Sequence, residues 1–187
     1  QCRYCQKKIS IRYPLCEIVT AFFFILSALF ISDPLKLAII LWLTIIFLIM
    51  SVIDIEHLII PDSLQIALTI SAYFYVIYYL LPLGRLLLEP LLVTVLAMVL
   101  KYAFIFFYKR DGLGFGDIKL IWPVTMLVGL PMIPYLLFMI GILGTFSGLL
   151  WQGLKKTDKY PLGPSITLAC YLLLLNYEGV IIPNFIP

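Results

Sequence analysis

Charge is what this chain has least of. Of 187 residues, 13 are Lys or Arg, 10 are Asp or Glu, and His57 is the single histidine. A soluble globular domain needs more charge than this to cover its surface, so that class is excluded. The net charge of +3 is too small to point to nucleic acid, and no such partner is expected. One histidine is poor material for a metal centre. Cysteine is sparse as well, at positions 2, 5, 16 and 170. No internal repeat and no low-complexity segment is visible.

What replaces charge is hydrocarbon. The chain is 63% hydrophobic, with a mean hydropathy of +1.09. Apolar stretches longer than about 18 residues recur, each enough to cross a hydrocarbon core of about 30 Å. They lack the alternation of barrel strands. The expected fold is an all-α polytopic membrane protein, a bundle of about seven transmembrane helices with one short or broken. The spans are predicted at Leu15 to Ile31, Leu35 to Ile53, Ser63 to Leu81, Leu86 to Tyr108, Ile118 to Leu130, a sixth ending near Trp151, and Ser165 to Tyr177. Ser32-Asp33-Pro34 and Pro82-Leu-Gly-Arg85 read as turns. The fifth span is short and contains Pro123.

Lys and Arg set the orientation. With the N-terminal segment in the cytoplasm and seven alternating spans, ten of them fall on the cytoplasmic side. Lys36 and Arg85 fall on the other, and Lys101 is left within a span. Were the fifth span not to cross, the Lys155, Lys156 and Lys159 loop would lie outside, so it is counted as crossing.

Two places then stand out. From Leu37 to Ile53 no side chain is ionisable, and Asp54-Ile-Glu-His-Leu-Ile-Ile-Pro-Asp62 follows at once. Gly114-Phe-Gly-Asp117 follows another long apolar run. A carboxylate at the mouth of a span is costly and marks a functional site. The topology puts Asp54, Asp62 and Asp117 on one face, although only Lys and Arg were used to derive it. Two carboxylates within reach of each other titrate as a unit, one keeping a proton. The ionised one can activate water while the protonated one hydrogen-bonds a scissile carbonyl. Asp54 and Asp117 are therefore the candidate catalytic pair. Gly114 and Gly116, lacking Cβ atoms, let the loop bend and a substrate backbone approach.

Plainer roles are weighed beside these. Asp54 also reads as the polar end of a span, and Asp117 as an N-cap for the fifth helix. Asp62, after Pro61, is expected to cap the third helix. Glu56 and His57 are assigned to a water-exposed turn. Lys119 is expected to snorkel, its charge near Asp117. Glu17 and Lys101 are expensive if buried and within reach of the interface. Cys16 and Cys170 read as small apolar side chains of the bundle.

Asp54-x6-Pro61-Asp62 and Gly114-x-Gly-Asp117-x-Lys-Leu120 resemble the two signature motifs of bacterial type IV prepilin peptidases, which are Gly-x-Gly-Asp intramembrane aspartyl proteases. Arg12-Tyr-Pro-Leu-x-Glu-x-x-Thr-Ala21 and Tyr160-Pro-Leu-Gly-Pro164 are similar to two further elements of that family, so the likeness runs from residue 2 to about 166. It implies about eight spans, the first lacking here. It also implies an enzyme that removes the short basic leader of prepilins or pseudopilins at the cytoplasmic face of the bacterial inner membrane. The cut falls after glycine, usually before phenylalanine. Carried over, the catalytic residues are Asp54 and Asp117, with Gly114, Gly116, Asp62 and Lys119 in supporting roles. Proteolysis needs no cofactor. The partners implied are the prepilin leader and helix, and membrane lipid.

Many members also methylate the new N-terminus with S-adenosylmethionine and carry two Cys-x-x-Cys pairs. Here only Cys2-x-x-Cys5 is present, half of a four-ligand zinc site. On this reading residues 1–13 are the remnant of a cytoplasmic Cys-x-x-Cys segment and 14–187 form the transmembrane protease domain. Asp111 stands where many relatives have glutamate. Two other readings are a presenilin-like protease, disfavoured by Asp54-x6-Pro61-Asp62, and a proton or cation transporter. The transporter would place its carboxylates near the bilayer midplane, in repeated or broken helices.

Overall fold

A computed structural model describes residues 10–79, 84, 86–109, 114–155 and 160–176. Cys2, Cys5, Asp111, Pro82 and the lysines at 156 and 159 lie outside them. Among the described residues there are seven α-helices and no strand. They are α1 (Arg12–Phe30), α2 (Pro34–His57), α3 (Asp62–Tyr79), α4 (Leu88–Tyr108), α5 (Phe115–Val128), α6 (Ile133–Lys155) and α7 (Gly163–Asn176), with a 3-10 turn at Leu130–Met132. The segments Arg12–Phe30, Pro34–His57, Leu88–Tyr108 and Leu130–Gly153 are long and apolar enough to cross a membrane. This is a multi-pass membrane protein.

Local chemistry sets the helix starts. The Asp33 carboxylate accepts the N–H groups of Leu35 and Lys36, and Pro34 follows with its φ already helical. The turn read at Ser32-Asp33-Pro34 is thus the cap of α2. Pro123 sits inside α5 without ending it, and the helix stops at Gly129, whose φ is 77°. The fifth span is short, at 14 residues, rather than broken. Its length of about 21 Å falls below a full hydrocarbon crossing.

Burial sorts the helices into a centre and a periphery. Ten of the 14 residues of α7 are buried, and α5 is buried along most of its length. Helices apolar on all sides belong inside a bundle. α2 packs on α7, α1 and α3, while α5 packs on α3, α4 and α7. α1 and α4 expose long rows of Leu, Ile and Phe, as lipid-facing helices do. Cys170 is fully buried on α7, but Cys16 lies on the exposed surface of α1 rather than in the bundle.

Side-chain contacts between helix ends agree with strict up-down alternation. At one face Arg12 pairs with Glu56 at 2.6 Å and Lys119 with Asp62 at 2.8 Å. At the other, the Lys36 ammonium lies 5.7 Å from the Tyr79 ring, and the Leu130 N–H donates to Glu89 at 2.6 Å. The first face is formed by the C-terminal end of α2 and the N-terminal ends of α3, α5 and α7.

Candidate active site

The expected end of the second span at Ile53 falls one turn short. α2 continues to His57, so Asp54 stands inside the last helical turn. Helix α7 packs against that turn, leaving Asp54 only 5% exposed. A buried carboxylate needs a donor. Its donor is the Gly163 backbone N–H, 2.8 Å from Asp54 Oδ2. Gly163 is the first residue of α7, whose leading N–H groups have no partner within the helix. A Cβ at position 163 would lie 2.7 Å from Asp54 Oδ2 and 3.1 Å from Cγ, so only glycine permits this approach. After His57 the chain turns through Leu58 at φ 55°, a left-handed conformation that costs a leucine about 1–2 kcal/mol.

Asp117 is reached differently. The N-cap of α5 is Gly114, and Asp117 is the third residue of the helix, its carboxylate reaching back to the Gly114 N–H. This is the acidic half of a capping box, rather than the N-cap expected of Asp117. A Cβ on Gly114 would meet Asp117 Oδ2 at 2.8 Å, whereas one on Gly116 would touch only Ile60 at 3.5 Å. The two glycines therefore differ: Gly114 makes room for the carboxylate, and Gly116 lets α5 pass close to the α2–α3 connection. The Gln65 side chain fixes the same place by donating to the Gly116 carbonyl at 3.1 Å.

The two carboxylates, 63 positions apart in sequence, meet electrostatically: the charge of Asp54 acts directly on Asp117. Asp117 is half-buried. It also feels the positive charge of Lys101 on α4, whose ammonium lies 6.0 Å from the Phe115 ring. Among the described residues the site thus holds two carboxylates, each on a glycine N–H, with the Lys101 charge acting on Asp117.

The remaining residues of the sequence motifs divide. Lys119 turns to Asp62 at 2.8 Å and to the Phe115 ring at 5.4 Å, and the cation acting on Asp117 is Lys101 instead. Asp62 begins α3 and is largely exposed. Its ion pair with Lys119 ties α3 to α5. Glu56 and His57 are exposed as expected, but in the last helical turn rather than in a loop. Gly163 and Lys101 are the site residues that pattern reading missed. Lys101 was a visible signal, a lone cation within an apolar run. Gly163 was marked only by its place in Pro161-Leu-Gly-Pro164.

The sequence profile of the type IV leader peptidase family matches residues 41–149, which contain both aspartates. The chain belongs to the type IV leader peptidase family. The profile of the bacterial peptidase A24 N-terminal domain matches residues 1–31. Among curated relatives, the prepilin leader peptidase/N-methyltransferase of Dichelobacter nodosus is 30% identical over 94% of this chain and 61% of its own length. Those of Aeromonas salmonicida and Neisseria gonorrhoeae are 27% and 28% identical, each over 96% of this chain and 63% of the relative. The chain thus spans less than two thirds of the length of each of these three relatives. No solved structure gives a significant match.

Among the described residues no cluster of three or more His, Cys, Asp or Glu is placed to hold a metal ion. Cys2 and Cys5 lie outside those residues.

Proposed function

We propose that this leader peptidase family member is a membrane endopeptidase that removes the short basic leader of type IV prepilins or pseudopilins. It works at the cytoplasmic face of the bacterial inner membrane, with Asp54 and Asp117 as its catalytic pair. One carboxylate is ionised and takes a proton from water as the water oxygen bonds to the scissile carbonyl carbon. The other is protonated and hydrogen-bonds the carbonyl oxygen as it gains charge. Collapse of the tetrahedral adduct breaks the C–N bond, and the departing amine takes up a proton from the pair. No metal and no S-adenosylmethionine enters these steps, and methyl transfer is not part of the reading.

The observation that carries the reading is the convergence of Asp54 and Asp117 at one face of the bundle, each carboxylate accepting a glycine N–H. Fixed backbone donors orient both groups without neutralising them, as a water-activating pair requires. A pair at helix ends also argues against an ion pathway, which would carry its carboxylates near the midplane. Asp62 and Lys119 tie α3 to α5, Gly114 leaves room for the Asp117 carboxylate and Gly116 lets α5 approach Ile60, and in these ways the four support the pair. The excess of Lys and Arg that the sequence topology assigns to this side of the membrane supports its cytoplasmic placement.

The test is to incubate membranes containing the full chain with a prepilin reporter and to sequence the product's new N-terminus. The reading expects one cut at the junction of the basic leader and the apolar segment. An intact reporter, or cuts scattered within the apolar segment, would overturn it.

A further inference from the structure

We infer that Lys101 is a positioning residue of the aspartate pair: its ammonium, carried on α4, is the counter-charge that keeps one carboxylate ionised while the other holds a proton. The inference rests on the protease reading above and adds to it the group that sets the pH range of the site.

The cost of the residue is the first argument. Lys101 is the only Lys, Arg, Asp or Glu between Glu89 and Lys109. Around it α4 exposes Val99, Leu100, Tyr102 and Phe104, and a charge in such a span is expensive unless a partner meets it. Lys101 stands seven residues before the end of α4, about 10 Å short of the dyad face. Its half-buried side chain turns to α5, where the ammonium lies 6.0 Å from the ring of Phe115. Phe115 is the first residue of α5, two before Asp117, and the Lys101 charge acts on that carboxylate.

Charge balance is the second. Arg12 is paired with Glu56 and Lys119 with Asp62, so each of these couples is neutral by itself. Glu17, His57 and Lys109 are exposed. The ionisable side chains of α7, Cys170 and Tyr171, lie about two turns inside that helix. Asp54 and Asp117 sharing one proton carry a single negative charge, and Lys101 carries a single positive one. The cation favours ionisation of the pair, and repulsion between the carboxylates stops it at one charge.

The third argument separates charge from placement. The Gly114 N–H holds the Asp117 carboxylate, and from α3 the buried Gln65 side chain donates to the Gly116 carbonyl at 3.1 Å. Asp117 is thus placed without the lysine, whose contribution is its charge.

The test measures kcat/KM for a prepilin reporter from about pH 5 to about pH 9 in membranes containing the full chain. Lys101→Met fills nearly the same space without the charge, so its pair ionises only at higher pH. The whole profile should move up by about half a unit or more, a loss of about threefold or more on its acid side. Lys101→Arg keeps the charge and should leave the profile within about 0.2 unit of wild type. A residue that only packs would scale the rate alike at every pH. An unmoved profile in Lys101→Met therefore overturns the inference, as does a profile in Lys101→Arg that moves as far as that of Lys101→Met. If Lys101→Met cleaves nothing, Lys101→Arg decides: near-wild-type cleavage upholds the charge, and loss in both variants overturns it. Failure of wild type to cleave the reporter would instead overturn the protease reading itself.

Discussion

Replacing Gly163 by alanine probes the dyad without touching either aspartate. The new methyl would lie 2.7 Å from Asp54 Oδ2, about 0.7 Å inside the 3.4 Å at which ordinary contact begins. Position 163 has no left-handed φ, and alanine is a better helix residue than glycine, so backbone preference favours the change. The whole penalty therefore falls on the contact with Asp54. Either the carboxylate rotates away and loses its 2.8 Å donor, or the start of α7 retreats from α2. Both separate the carboxylate from its backbone donor by most of an ångström and loosen its placement, and a misplacement of about 1 Å costs about 100-fold in rate. Gly163→Ala should lower kcat/KM for reporter cleavage by about 10- to 100-fold, about 1.4–2.7 kcal/mol of barrier. The assay is the initial rate of leader release in membranes, with thermal unfolding in detergent measured alongside. Unfolding should shift by a few degrees at most. A rate within threefold of wild type would refute the argument that glycine is required for the Asp54 approach.

The same geometry makes other predictions. Gly114→Ala should lose at least tenfold in cleavage, because its methyl meets Asp117 Oδ2 at 2.8 Å, while Gly116→Ala, facing Ile60 at 3.5 Å, should stay within about threefold. Reversed sensitivities in the same rate assay would contradict the roles given to the two glycines. Asp62→Asn and Lys119→Met break a largely exposed ion pair, so each should cost no more than about 1 kcal/mol of stability and only a few-fold in rate. Complete loss of cleavage in Asp62→Asn would promote that residue into the catalytic set. A zinc chelator should leave leader removal unchanged in the membrane assay, since no proteolytic step uses a metal.

The helices were legible because hydrophobic runs and Pro, Gly and Asp punctuation are local properties, and Asp33-Pro34 is an example that folds as it reads. Helix ends beside the site were less legible. Ionisable residues read as the finish of a span, yet α2 carries Asp54, Glu56 and His57 before stopping at Leu58, because α7 covers Asp54 and its Gly163 N–H satisfies the carboxylate. α5 likewise begins before Asp117, since Gly114 rather than the aspartate occupies the N-cap. Asp54 and Asp117 could be singled out because charge after an apolar run is conspicuous. Their partners could not. Gly163 acts through a backbone N–H, which no side-chain pattern records, and Lys101 reaches Asp117 only through the packing of α4 on α5.

The central claim is that Asp54 and Asp117 work as one catalytic unit, and the direct measurement is reporter cleavage by Asp54→Asn, Asp117→Asn and the double variant, each at matched levels in the membrane. Groups that act as a unit are non-additive. Each single variant should lose cleavage by about 10²-fold or more, and the double variant should fall little further than the worse single. Near-wild-type cleavage by either single variant, or losses that multiply in the double, would contradict the account.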